Sequence, residues 1–211
     1  MPDSPLVRII VSLPAFLLAI VLHEVAHGYV AYLLGDDTAK RAGRLTLSPI
    51  AHLDPIGTIF FLFSSWMWMG FGWARPVPVM IERLRNPRRD EVLVTLAGPG
   101  ANLLQAIAWA VLLRVAIPFA GSTLGYALVN FCLLGVGINV LLLLFNLLPI
   151  PPLDGSHVAA RLLGFDQPGL IERLAPIGFL VLVVFLSSGL FQVFSAKLFY
   201  PVLGLFLPRG F

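Results

Sequence analysis

Polar residues along this chain are gathered into a few short breaks, and the stretches between them are almost wholly apolar. The first stretch predicts a helix over about Pro5 to Leu34, with Gly35 as its stop and Pro14 as a site for a kink. A polar break, Gly35 to Pro55, follows, and the alternation over Gly43 to Ser48 suggests a short strand inside it. Ile56 to Trp73 is about the minimum length for a span. It either crosses once or dips in and returns as a re-entrant hairpin. The next break, Ala74 to Asp90, contains Arg-Pro-Val-Pro-Val, which must be extended because each proline disfavours helix in the residue before it. Two further spans are expected at Glu91 to Phe119 and Tyr126 to Leu148, joined by a tight connection at Gly121 to Gly125. From Gln167 to Phe211 the chain is again apolar, broken at Ser187 to Gly189 and at Pro201, so a long kinked helix and a span plus an interfacial helix both fit.

Composition makes the bilayer part of the solvent. Of 211 residues 58% are hydrophobic and 12% charged, where soluble domains carry about 25% charged residues. The fold class expected is an all-α polytopic membrane protein of about four to six transmembrane helices. A re-entrant or short hairpin segment and small β elements near the polar site complete it. The whole chain, 1–211, reads as one integral membrane domain, with a core over 5–160 and C-terminal membrane helices over 168–211. Arg8 before an apolar run imitates a secretory leader, but no small-residue cleavage pattern follows, so the segment is expected to be retained. The net charge of +3 comes without a basic stripe interleaved with exposed aromatics, which argues against a nucleic-acid partner. The single cysteine, Cys132, excludes an intrachain disulfide and reads as a small core residue.

Within Ile20 to Leu34, IVLHEVAHGYVAYLL, three titratable side chains fall in five residues: His23, Glu24 and His27. Histidines four apart return to nearly the same helix face, so both imidazoles can reach one ion. This is the H-E-x-x-H arrangement, two zinc ligands flanking a glutamate able to act as general base. The bare pattern is short enough to recur by chance in soluble helices. Ionisable groups at membrane depth, however, cost about 2.5 to 3.5 kcal/mol each on insertion scales and mark function.

A third ligand is sought where the chain places oxygen at membrane depth. The run NLLPIPPLDG, Asn146 to Gly155, has prolines at 149, 151 and 152 that end a helix, and irregular backbone at depth is tolerated only in protein or beside a watery cavity. Asp154 sits there, as a third ligand or as the N-cap of a helix starting near Ser156. His157, one turn on, is a possible substitute ligand, with a supporting role preferred. His52 and Asp54 read as loop residues held by local hydrogen bonds rather than as ligands. Asn102 is expected to hydrogen-bond another helix or to support the ligands; Gly98 and Gly100 permit close helix approach. Trp66, Trp68 and Trp73 suit the membrane interface, and Ser64 and Ser65 lack partners at a catalytic spacing. The extended segment Arg75, Pro76, Val77, Pro78, Val79 reads either as a connector or as a strand able to pair with a peptide.

Basic residues give an orientation. With Arg8 outside and Ile56 to Trp73 returning on itself, ten of the fourteen Lys and Arg lie on the cytoplasmic side, and His23, His27 and Asp154 fall toward one leaflet.

With HEVAH, LAGPGAN and NLLPIPPLDG in that order, the chain resembles the site-2 protease family of intramembrane zinc metalloproteases over about Leu6 to Ala160. SPIAHLDPIGT and GWARPVPV resemble segments of its compact prokaryotic members. The resemblance implies one Zn2+ per chain on His23, His27 and Asp154, and Glu24 as catalytic base. It matches Asn146 to a family asparagine that assists substrate binding or oxyanion stabilisation. The expectation is a peptidase that cuts transmembrane segments of membrane protein substrates within the lipid bilayer, in a multi-pass cell-membrane protein whose active site the basic residues place toward the cytoplasm. The alternative is a membrane protein that transports or senses zinc with the same ligands, which has no need of Glu24.

Overall fold

Three long helices build the centre of the computed structural model, which describes residues 5–66, 72–165, 167 and 169–208. Helix α1 spans Pro5–Leu33 and runs through Pro14 without interruption. A short α2, Thr38–Arg41, and α3, Pro49–His52, occupy the first polar break, and α4 covers Pro55–Trp66. After an extended segment and a single 3-10 turn at Ile81–Arg83 come α5, Pro87–Ala116, and α6, Thr123–Asn146. Ser122 starts α6 by accepting the Gly125 N–H at 3.0 Å, an N-cap at the tight connection that the glycines foretold. Helix α7 is Asp154–Leu162, α8 is Leu170–Ser187, and α9, Gly189–Phe194, continues through a π turn at Ser195–Phe199 into α10, Tyr200–Phe206. Among the described residues, five segments are long and apolar enough to cross a membrane: Ile9–Leu33, Pro87–Phe119, Thr123–Asn146, Leu170–Ser187 and Gly189–Phe206.

Small residues set the helix spacing. Ala106 and Ala110 of α5 meet Val136 and Val140 of α6, and deeper along the pair Leu113 and Ala116 meet Val129 and Cys132. Gly135 leaves room for the indole of Trp109, since a Cβ there would stand 2.4 Å from the ring. On the other side of α1, Phe16, Ile20 and Val21 pack on Phe61 of α4 and on Ala74, with the Phe16 and Phe61 rings stacked at 4.1 Å. The three helices thus share an interior, with α1 lying against both others.

The segment after His52 returns to where it began. Leu53 forms an antiparallel bridge with Ala74, and the Arg75 N–H donates to the His52 carbonyl at 2.8 Å. Gly57 lets the return limb pass, for a Cβ there would lie 2.3 Å from the Trp73 carbonyl. The two ends of this stretch, Leu53 and Ala74, therefore meet side by side instead of lying on opposite sides of a crossing. Ser64, Ser65 and Trp66 side chains and Trp68 lie outside the described residues.

The expected strand at Gly43 to Ser48 does not form. Among the described residues the Leu53–Ala74 bridge is the only β pairing. Part of the reason is a side chain that takes a backbone group a strand would use: the Thr46 carbonyl pairs with His52 Nε2 at 2.8 Å. Gly43, at φ 66°, also turns the chain out of extended geometry.

Candidate metal centre

His23 and His27 stand one turn apart on α1, as the spacing demanded, and their Nε2 atoms are 3.1 Å apart. Asp154 Oδ2 lies 3.3 Å from His23 Nε2 and 3.4 Å from His27 Nε2. One ligand atom from each residue falls within 4.8 Å of the others. Helix α5 can approach these rings only because residue 98 is glycine: a Cβ there would stand 2.2 Å from His27 Nε2 and 2.6 Å from His23 Nε2.

The other ring nitrogens settle what the Nε2 atoms present. His27 Nδ1 donates to the Val94 carbonyl at 2.7 Å, an oxygen that can only accept. His23 Nδ1 meets Asn102 Oδ1 at 2.6 Å, and the Asn102 amide nitrogen donates to the Ala19 carbonyl and to Asn139 Oδ1, at 3.3 and 3.0 Å. That assigns Oδ1 as acceptor and the His23 proton to Nδ1. Asn139, fully buried on α6, donates in turn to the Gly135 carbonyl at 2.9 Å. Both Nε2 lone pairs therefore face each other and a carboxylate oxygen that is buried and has no hydrogen-bond partner. Three facing lone-pair donors need a cation among them. Two imidazoles and one carboxylate are the donor set of a three-ligand zinc site, so the residues present fit the metal.

Asp154 reaches this place through the proline-rich turn. Gly155 has its Cβ position 2.3 Å from the Leu147 carbonyl, so only glycine lets the turn fold back on the end of α6. Leu153 holds the N-cap position of α7 and no side chain caps it, so the Asp154 carboxylate is spent on the histidines rather than on the helix end.

Glu24 projects beside the ligands and accepts the Val77 N–H on Oε2 at 2.8 Å. This brings the extended segment Arg75 to Val79 against the glutamate. Asp36, fully buried at the end of α1, ties the far end of the segment by accepting the Met80 N–H at 2.6 Å and the Thr38 N–H at 3.0 Å. Other candidates stand apart from the three ligands. Asn146 ends α6 and donates to its own Leu142 carbonyl at 3.0 Å. His157 turns toward Glu91, 3.9 Å away, where Glu91 also pairs with Arg161; burial lowers the His157 imidazole below its usual value. His52 is fully buried on Thr46, and Asp54 accepts the Gly57 N–H at 2.7 Å, both local structural contacts. Asn139, Asp36 and Arg44 went unnoticed in the sequence. Asn139 alone carried a signal, an amide inside an otherwise apolar run.

Fold and site together define a polytopic membrane protein in which His23, His27 and Asp154 gather where they could hold a cation. The family model described as Peptidase family M50 matches residues 113–188. The chain is 41% identical to "Putative zinc metalloprotease YwhC" of Bacillus subtilis over 206 residues, covering 89% of this chain and 91% of the relative. It is 30% identical to "Putative zinc metalloprotease Rip2" of Mycolicibacterium smegmatis, covering 90% of this chain and 72% of the relative. Rip2 of Mycobacterium tuberculosis H37Rv is similar at 30% identity, over 93% and 73%. No solved structure matches. The chain belongs to peptidase family M50, the site-2 protease family, and is a multi-pass membrane protein.

Proposed function

We propose that this protein is an intramembrane zinc endopeptidase that cuts membrane protein substrates within or beside a transmembrane segment. The observation that carries the reading is the meeting of His23, His27 and Asp154 ligand atoms within 4.8 Å, on α1 and at the start of α7, with Glu24 one residue from the first ligand. His23, His27 and Asp154 would hold one zinc ion. When bound, zinc polarises a carbonyl and makes water acidic enough to attack near neutral pH. Glu24 receives the proton of the attacking water at its carboxylate and passes it to the leaving amine. The Val77 N–H, bonded to Oε2, holds that carboxylate in place. Asn102 and the Val94 carbonyl keep the imidazoles in the tautomer that leaves Nε2 bare. Asn146 serves the developing oxyanion once a substrate draws its amide away from Leu142. Arg75 to Val79 receives the unwound substrate segment.

The positive-inside distribution supports a cell-membrane protein with this site toward the cytoplasm, reached by water from that side. The test is zinc content of the detergent-purified protein together with cleavage of a single-span reporter by wild type and Glu24→Gln. Zinc in both and cleavage by wild type alone is the expected result. A fully active Glu24→Gln variant would sink the base assignment.

A further inference from the structure

The segment proposed to receive substrate has hydrogen-bonding groups of one sign only. The Arg75 N–H is spent on the His52 carbonyl and the Val77 N–H on Glu24, at 2.8 Å each. Pro76 and Pro78 have no N–H at all. From Arg75 through Pro78 every backbone donor is therefore engaged or missing. Acceptors are left over. Arg44 takes the Arg75 carbonyl, but among the described residues no donor meets the carbonyls of Pro76, Val77 and Pro78. Pro76 and Pro78 are exposed, while Val77 is buried against α1 beside Gly28, whose Cβ position lies 2.8 Å from Val77 Cγ1.

A two-way β ladder exchanges N–H and C=O in both directions, and this edge cannot do so. We infer that the Pro76–Pro78 edge binds an unwound substrate by accepting its backbone N–H groups, and so selects substrate stretches that present free N–H groups while ignoring their carbonyls. The inference rests on the peptidase reading and deepens it. Its physical sense lies in the substrate. A transmembrane helix opened at one point frees both N–H and C=O groups, each costly if left unpaired in a site shielded from water. The edge satisfies the donors and leaves the substrate carbonyls unclaimed. A proline in the substrate at a pairing position has nothing to offer the edge and is excluded.

The experiment uses the full-length, zinc-loaded Glu24→Gln protein in detergent and a fluorescein-labelled eight-residue apolar peptide, too short to hold a helix. Backbone esters, which replace one N–H by oxygen, are introduced one position at a time, and thioamides, which weaken one carbonyl acceptor, in a second series. Anisotropy should show binding weakened about three- to tenfold by esters at alternate positions, as expected for one lost hydrogen bond, and less than about twofold by any thioamide. Pro76→Ala restores an N–H to the edge and should make binding thioamide-sensitive while ester sensitivity stays. Equal loss in both series, no ester effect, or no binding at all would overturn the inference. Cleavage of the same peptides by wild type is read in parallel, and its absence alongside the expected ester pattern counts against the peptidase reading alone.

Discussion

The α1, α5 and α6 bundle and the C-terminal α8 to α10 are equally apolar but differently held. A third of the Ile9–Leu33 and Thr123–Asn146 windows is buried within the protein, against 11% of Leu170–Ser187 and 6% of Gly189–Phe206. In lipid, apolar character alone does not drive helices together; close packing and polar contacts do. The bundle has both. His23, Asn102 and Asn139 link α1, α5 and α6 in one chain of hydrogen bonds. Glycines 98 and 135 let the backbones close in around it. Helix α8 has Gly178 against the Pro151 carbonyl and Phe179 edge-on to Trp73, but its outer face carries Ile177, Leu180 and Val184 exposed. The three candidate ligands sit among these ties; α8 is held more loosely, while α10 is joined to the bundle by the Arg114 hydrogen bond to the Phe206 carbonyl at 2.9 Å and by Val202 and Leu203 against the α5–α6 core.

Breaking the ligand set should have the largest effect. Asp154→Ala is expected to lower zinc content from about one per chain to near zero and to abolish reporter cleavage, checked by metal analysis of the purified protein. A variant that retained full zinc would remove Asp154 from the set. Next in size is Asn102→Leu, which takes away the acceptor orienting His23. Zinc affinity, read by competition with a chelator, should fall by about 10- to 100-fold. Asn139→Leu should move it in the same direction by less, because Asn102 keeps its bond to His23.

Packing changes sharpen the contrast between the regions. Leu113→Ala removes a fully buried side chain from the α5–α6 contact and should cost about 2 to 3 kcal/mol. Val184→Ala on the exposed face of α8 should cost less than about 0.5 kcal/mol. Both are measured as unfolding free energies in the same detergent. Similar losses at the two sites would show that α8 is anchored as firmly as the bundle.

Much of the site was legible because it is local. His23, Glu24 and His27 share one helix, and helical pitch brings them together in any fold that keeps that helix. The long helices were legible because the bilayer demands some 20 apolar residues for each crossing. The strand over Gly43 to Ser48 was misread because alternation does not reveal that His52 would claim the Thr46 carbonyl or that Gly43 would turn the chain. Asn102 was legible as a buried amide in need of a partner, but which helix would supply that partner was not.

Sequence alone determined the helical spans, the pair of histidines with their glutamate, and the break at Pro149 to Pro152 that ends a helix before Asp154, because propensity, pitch and proline chemistry act over a few residues. Only the tertiary structure decided that Asp154 meets both imidazoles, that Asn102 and Asn139 fix the His23 tautomer, that Leu53 and Ala74 come back together, and that Val77 donates to Glu24. Each of these joins residues more than twenty positions apart. Their meeting depends on how closely whole helices approach, which is set by the absence of a side chain at Gly98, Gly135 and Gly155 as much as by any group present.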